Sequence, residues 1–208
     1  MNMLRLEIHN QNPQQRILSQ AVDALKRGEI VIYPTDTTYG VGCSIFNKKA
    51  IEQLYRIKGK SKFDHMSMIC SSIQQAADFV KISNDAFRLL KKCSPGPYTI
   101  ILDAKKNIAK LMLSRQKEIG VRIPATPVCR DLVELLGHPI LNTSYDPGVN
   151  DFPDELYNSF DENNPFTLTA SVLLDAGPML DGEHSTVIRF VNDELELLRE
   201  GKGAIDIL

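Results

Sequence analysis

Short apolar runs alternate with amphipathic stretches along most of this chain, and that alternation admits few architectures. Asn12-Pro13 predicts a helix start, since Asn can cap and Pro is tolerated at the first helical position. Ile17, Leu18, Ala21, Val22 and Leu25 then share one helical face, and Gly28 ends it. Residues 29–33 form a short apolar run cut by Pro34 and read as a strand. A second helix is predicted over 48–57, with Ile51, Leu54 and Tyr55 inward, then a strand over 66–70 and a helix capped by Ser83 that runs through Lys92. Further strands are predicted at 98–102, 119–123, 139–143, 170–174, 185–190 and 194–199, and a helix over 126–136 is stopped by Gly137. Strands alternating with helices throughout imply an α/β protein, a sheet covered by helices. Residues 146–165, rich in Asp, Asn and Pro, read as a loop that is either a flap or an inert surface connection.

Composition narrows the function class. The 208 residues suffice for one buried core, so a single domain over 1–208 is expected. A net charge of -2 gives no support for a generally basic, nucleic-acid-coating protein, so any RNA contact needs a local basic patch. Cys43, Cys70, Cys93 and Cys129 are widely spaced with no CxxC, which reads as buried reduced thiols rather than a zinc or disulfide framework. His9, His65, His138 and His184 lack HxxxH spacing, so no metal site is expected. The first twelve residues lack the apolar core of a signal peptide, and no apolar run approaches the roughly 20 residues that span a bilayer. The expected location is the cytoplasm, with no membrane partner.

Five polar constellations interrupt the apolar pattern, and each has a plain structural reading beside a functional one. Thr35, Thr37, Thr38 and Tyr39, followed by Gly40 and Gly42, lie just beyond a predicted strand, where open α/β sheets bind ligands. They offer hydroxyl and backbone N–H donors to an anion, or they form a tight turn with capping threonines. Lys58-Gly59-Lys60-Ser61-Lys62 is a phosphate-binding cationic arm or a charged helix end. Arg122, inside the apolar strand Val121-Arg122-Ile123, needs an anionic ligand or an ion-pair partner. Ser144 and Asp146 follow another strand, and Ser185 and Arg199 occur near the end of the chain as Ser185-Thr186-Val187-Ile188 and Arg199-Glu200-Gly201.

The order of these motifs is more specific than any one of them. Pro34-Thr35-Asp36-Thr37-Thr38-Tyr39-Gly40, then Lys58-x-Lys60, Pro95-Gly96-Pro97-Tyr98-Thr99, Val121-Arg122-Ile123-Pro124, Thr143-Ser144, Ser185-Thr186-Val187-Ile188 and Arg199-x-Gly201 resembles the YrdC/Sua5/YciO family from about Leu18 to Ile205. The resemblance implies a YrdC-like twisted, mixed sheet with flanking helices around a large cleft. It also implies chemistry related to L-threonylcarbamoyladenylate synthesis from ATP, L-threonine and bicarbonate, which serves threonylcarbamoyladenosine modification of tRNA. Family members are further described as binding double-stranded RNA.

Carried over by position, Lys58, Lys60 and Arg122 are the catalytic candidates. Lys58, Lys60, Ser144, Asp146, Ser185 and Arg199 become nucleotide-binding residues, and Thr35, Thr38, Tyr39 and Arg122 substrate-binding residues. ATP with Mg²⁺ is implied as substrate and counter-ion, with no tightly bound cofactor, and tRNA or double-stranded RNA as partner. Two positions depart from the synthase pattern. Lys60 stands where an Arg is expected and lacks the bidentate fork. Asp146 stands where an Asn is expected and, ionised, can only accept hydrogen bonds. Asp64-His65-Met66-Ser67-Met68-Ile69-Cys70 and Tyr98-Thr99 resemble the YciO branch more than the synthase branch. The expectation is therefore a YciO-like nucleotide- and RNA-binding protein, with a true synthase and a non-catalytic double-stranded RNA-binding module as alternatives.

Overall fold

Residue after residue is buried along the central strands, so the sheet has two apolar faces, and helices cover both. The structure is a computed structural model and describes residues 3–58, 66–109, 117–145, 163–178 and 183–206. In chain order the elements are β1 (Leu4–Glu7), α1 (Gln15–Arg27), β2 (Val31–Tyr33), β3 (Gly40–Ser44), α2 (Lys48–Lys58), β4 (Ser67–Ile69), α3 (Ile73–Ala77), α4 (Asn84–Cys93) and β5 (Tyr98–Asp103). There follow α5 (Lys106–Ala109), β6 (Glu118–Arg122), α6 (Pro127–Leu136), β7 (Ile140–Ser144), α7 (Pro165–Thr169), β8 (Val172–Asp175), β9 (Thr186–Val191) and β10 (Glu194–Arg199).

The strands form one open mixed sheet in the order β1-β8-β2-β3-β7-β4-β6-β5-β9-β10. Among the described residues four pairings are parallel, including β1 with β8 and β4 with β6. Successive side chains of a strand point to opposite faces. Val31 and Tyr33 therefore pack under α1 and α6, against Leu18, Leu25, Leu132 and Val133. Ile32 between them joins the other core, built from Ile51 and Leu54 of α2, Leu90 of α4, Met68 and Leu141. Gly28 and Gly137 end α1 and α6 in the left-handed conformation, at φ 83° and 84°. Among the described residues no helix is long and apolar enough to cross a membrane.

Strand β3 and the short helices α3 and α5 are absent from the sequence reading, and three further features differ from it. Asn12 does not cap α1, which begins at Gln15. Residues 9–14 form their own hydrogen-bonded turn, in which Asn12 N donates to His9 Nδ1 and Gln14 Oε1 accepts from His9 N. Residues 4–7 form an edge strand that the charges of Arg5 and Glu7 conceal. Pro165, read as the end of a loop, opens α7, with Asn164 capping it by accepting from Phe166 N. Residues 146–162 of that loop reading lie outside the described residues.

Candidate functional site

Gly40 and Gly42, read as loop donors for an anion, belong to the central strand β3. Their backbones are paired with β2 on one side and β7 on the other. A Cβ at Gly40 would stand 2.5 Å from Asn142 Oδ1 and 3.0 Å from the Tyr33 ring, and one at Gly42 would stand 3.0 Å from Tyr33 Oη. The glycines thus leave a trough across β3. The fully buried Tyr33 lies over it and donates to Asn142 Oδ1 on β7 at 2.7 Å. Asn142 Nδ2 in turn faces Ser67 Oγ of β4 at 3.4 Å.

Between Tyr33 and Gly40 the chain folds on itself. Thr35 Oγ1 donates to Thr38 O and accepts from Thr37 N at 3.1 Å, an ST-turn that its hydroxyl closes. Arg122, at the end of β6 and 4% exposed, aims its Nη2 into this turn. It donates to Asp36 Oδ1 at 2.5 Å, Thr37 Oγ1 at 2.6 Å and Thr35 Oγ1 at 3.1 Å. The other carboxylate oxygen of Asp36 accepts from Ala125 N at 2.9 Å. Two polar atoms here are buried without a partner among the described residues, Arg122 Nε and Thr38 Oγ1. Asp36, within Pro34–Gly40, is a site residue that the motif reading does not include; its signal in the sequence is the need of an arginine inside an apolar strand for a counter-charge.

A second cationic group comes from the far edge of the sheet. Arg199 of β10 donates from Nε and Nη2 to Ser185 O at 3.0 and 2.8 Å, and from Nη2 to Ser185 Oγ at 3.2 Å. Ser185 Oγ also meets Thr99 Oγ1 of β5 at 2.9 Å. Partial desolvation, with a smaller contribution from the charge of Arg122, holds the Arg199 guanidinium below its ordinary pKa. Gly201 permits this placement, because a Cβ there would fall 2.3 Å from His184 O. Its N–H donates to Thr186 Oγ1, which donates to Gly203 O, while Tyr98 Oη donates to Ala204 O. The tail after Arg199 is thus tied to β5 and β9.

The other predicted residues take different places. Tyr39 turns its hydroxyl to the end of β8, donating to Gly177 O at 2.8 Å and accepting from Ala176 N at 2.9 Å. Burial holds that hydroxyl well above the usual phenol range. Lys58 closes α2, and Ser144 ends β7 opposite Gly40. Lys60 and Asp146 lie outside the described residues. No group of three His, Cys, Asp or Glu that could hold a metal ion occurs among the described residues. All four cysteines are free and buried, and burial pushes the Cys43 thiol up to about 12 and Cys93 to about 11. A cavity of about 290 Å³ lies between α3, α4 and α6, and no sequence-predicted site residue lines it.

The family model Sua5_yciO_yrdC, described as telomere recombination, matches residues 23–201. The uncharacterized protein YciO of Escherichia coli K12 is 33% identical over 203 residues, covering 95% of each chain. The crystal structure of E. coli YciO superposes with a TM-score of 0.86 over 99% of this chain and 98% of that one. The threonylcarbamoyl-AMP synthase of Aliivibrio fischeri is 32% identical over 130 residues, 61% of this chain and 70% of that protein. Sua5 of P. abyssi, complexed with L-threonine, shares the fold at a TM-score of 0.82 and 23% identity, covering 96% of this chain and 58% of that one.

Proposed function

Because this chain belongs to the Sua5/YciO/YrdC family, we propose that it binds an adenine nucleotide and RNA in or near threonylcarbamoyl chemistry, without the full synthase constellation. One observation carries this reading. Arg122 and Arg199, from strands β6 and β10, bring two guanidinium groups beside the hydroxyls of Thr35 and Ser185. Such donors suit a ligand that is both anionic and rich in hydroxyls and carbonyls. Lys58, the last residue of α2, and Lys60, two positions on in the sequence, supply phosphate contacts, and ATP arrives with its own Mg²⁺. Lys60 and Asp146 argue against efficient adenylate formation, the first by lacking a bidentate fork and the second by repelling a phosphate.

Thermal-shift measurements with ATP, AMP, L-threonine and tRNA test the reading, since a ligand that binds only the folded state raises Tm. A rise with a nucleotide, and RNA binding that weakens steeply with salt, are expected. Absence of both overturns it. A reconstituted assay with ATP, L-threonine and bicarbonate then separates binding from synthesis. Pyrophosphate release should be absent or slow in the natural chain and should increase in the Lys60→Arg, Asp146→Asn double variant. Fast synthesis by the natural chain would instead make it a true synthase.

A further inference from the structure

Arg122 is a buried cation whose charge is already met inside the protein. Its Nη2 lies 2.5 Å from Asp36 Oδ1, and the two side chains are 4% and 12% exposed. Asp36 is itself held from a second direction, by Ala125 N on the segment between β6 and α6. Its carboxylate therefore bridges the β2–β3 turn to the residues beyond β6 and cannot swing away without losing both contacts. Arg199 differs in kind. Among the described residues its hydrogen bonds go to oxygens of Ser185, which carry no formal charge. Among the described residues Arg122 thus has a carboxylate partner and Arg199 has none.

A guanidinium beside a carboxylate keeps its N–H donors and their directions but loses most of its long-range pull on anions. Arg122 Nε is buried with no partner among the described residues, so a donor remains to be used. We propose that Asp36 is a specificity-determining counter-ion. It restricts Arg122 to orienting a bound group by direct hydrogen bonding, and it leaves anion attraction to cations such as Arg199. This rests on the reading that Arg122 lines the ligand site. Without Asp36, Arg122 would become a general trap for small anions.

The test uses sulfate, an anion whose charge is constant over the working pH range. Tm is followed against sodium sulfate, with sodium chloride at matched ionic strength as reference, for the natural chain, Asp36→Asn, Asp36→Ser and the double variant Asp36→Asn, Arg122→Met. The expected result is a sulfate-specific rise in Tm for the single Asp36 variants, with apparent affinity about tenfold tighter than in the natural chain, and its loss in the double variant. A residue needed only for packing would lower Tm equally in both salts. No sulfate-specific gain, a gain that persists without Arg122, or failure of both single variants to fold overturns the proposal. Nucleotide binding by the natural chain is scored separately. If it is present and the sulfate effect absent, only this inference fails. If the sulfate effect is present and nucleotide binding absent, the functional reading fails and the counter-ion role stands.

Discussion

Tyr33 on β2 crosses the intervening strand β3 to donate a 2.7 Å hydrogen bond to Asn142 on β7, passing over Gly40 and Gly42. Three neighbouring strands are thereby locked by one side chain, directly before the turn that receives Arg122. Tyr33→Phe keeps the ring and leaves the buried Asn142 oxygen without this donor. A loss of about 1–3 kcal/mol is expected in urea unfolding. Gly40→Ala should cost more than Tyr33→Phe, because the new methyl meets Asn142 and Tyr33 together.

Arg122→Met strands the Asp36 carboxylate in a nearly closed site. Breaking a buried pair on one side costs about 3–5 kcal/mol. Adding Asp36→Asn to Arg122→Met should recover part of that loss, read as a positive coupling in a double-mutant cycle of denaturant midpoints.

Gly201→Ala places a Cβ against backbone atoms of His184 and Ser185, which cannot step aside as a side-chain tip can. The tail must shift, and Arg199 with it. Stability should fall by about 1–3 kcal/mol, and any nucleotide-induced rise in Tm should shrink, whereas Gly177→Ala, at φ 83° with open space around it, should affect stability alone.

The buried thiols contribute to the loss of stability at alkaline pH. In the unfolded chain a cysteine ionises near pH 8.5. In the fold Cys43 keeps its proton to about pH 12 and Cys93 to about 11, because burial disfavours the thiolate. Unfolding therefore releases protons above the unfolded thiol range. The contribution is complete below about pH 8.5 and declines as pH rises towards 11 to 12. Denaturant midpoints should be insensitive to the thiols at pH 7 and drop above pH 9, less so in Cys43→Ala. Native protein at pH 8 should resist thiol reagents until denatured.

Elements with strong periodicity were legible. The helix ending at Gly137 and the edge strand β10 fall where apolar spacing and terminator residues put them. Strand β3 was not, because Gly-Val-Gly-Cys-Ser has weak strand propensity and is held by partners on both sides. The same glycines were read as anion donors, since a single sequence cannot show that a tyrosine seven residues earlier needs their missing side chains. Arg122 and Arg199 are each legible from their own motifs. The carboxylate that answers Arg122 comes from another strand's turn and depends on strand order, which no local pattern encodes.

Strand order also governs how quickly the molecule can form. Leu4 pairs with Val172, so the first strand waits for a partner almost the whole chain away, and Val31 waits for the same residue. Closing loops of that length precedes any reward from the contacts, and such topologies fold slowly. Until β8 docks, β2 presents an open edge to solvent. Refolding at high protein concentration should therefore partition towards aggregates through that edge, and a chain cut short of residue 172 should expose it permanently.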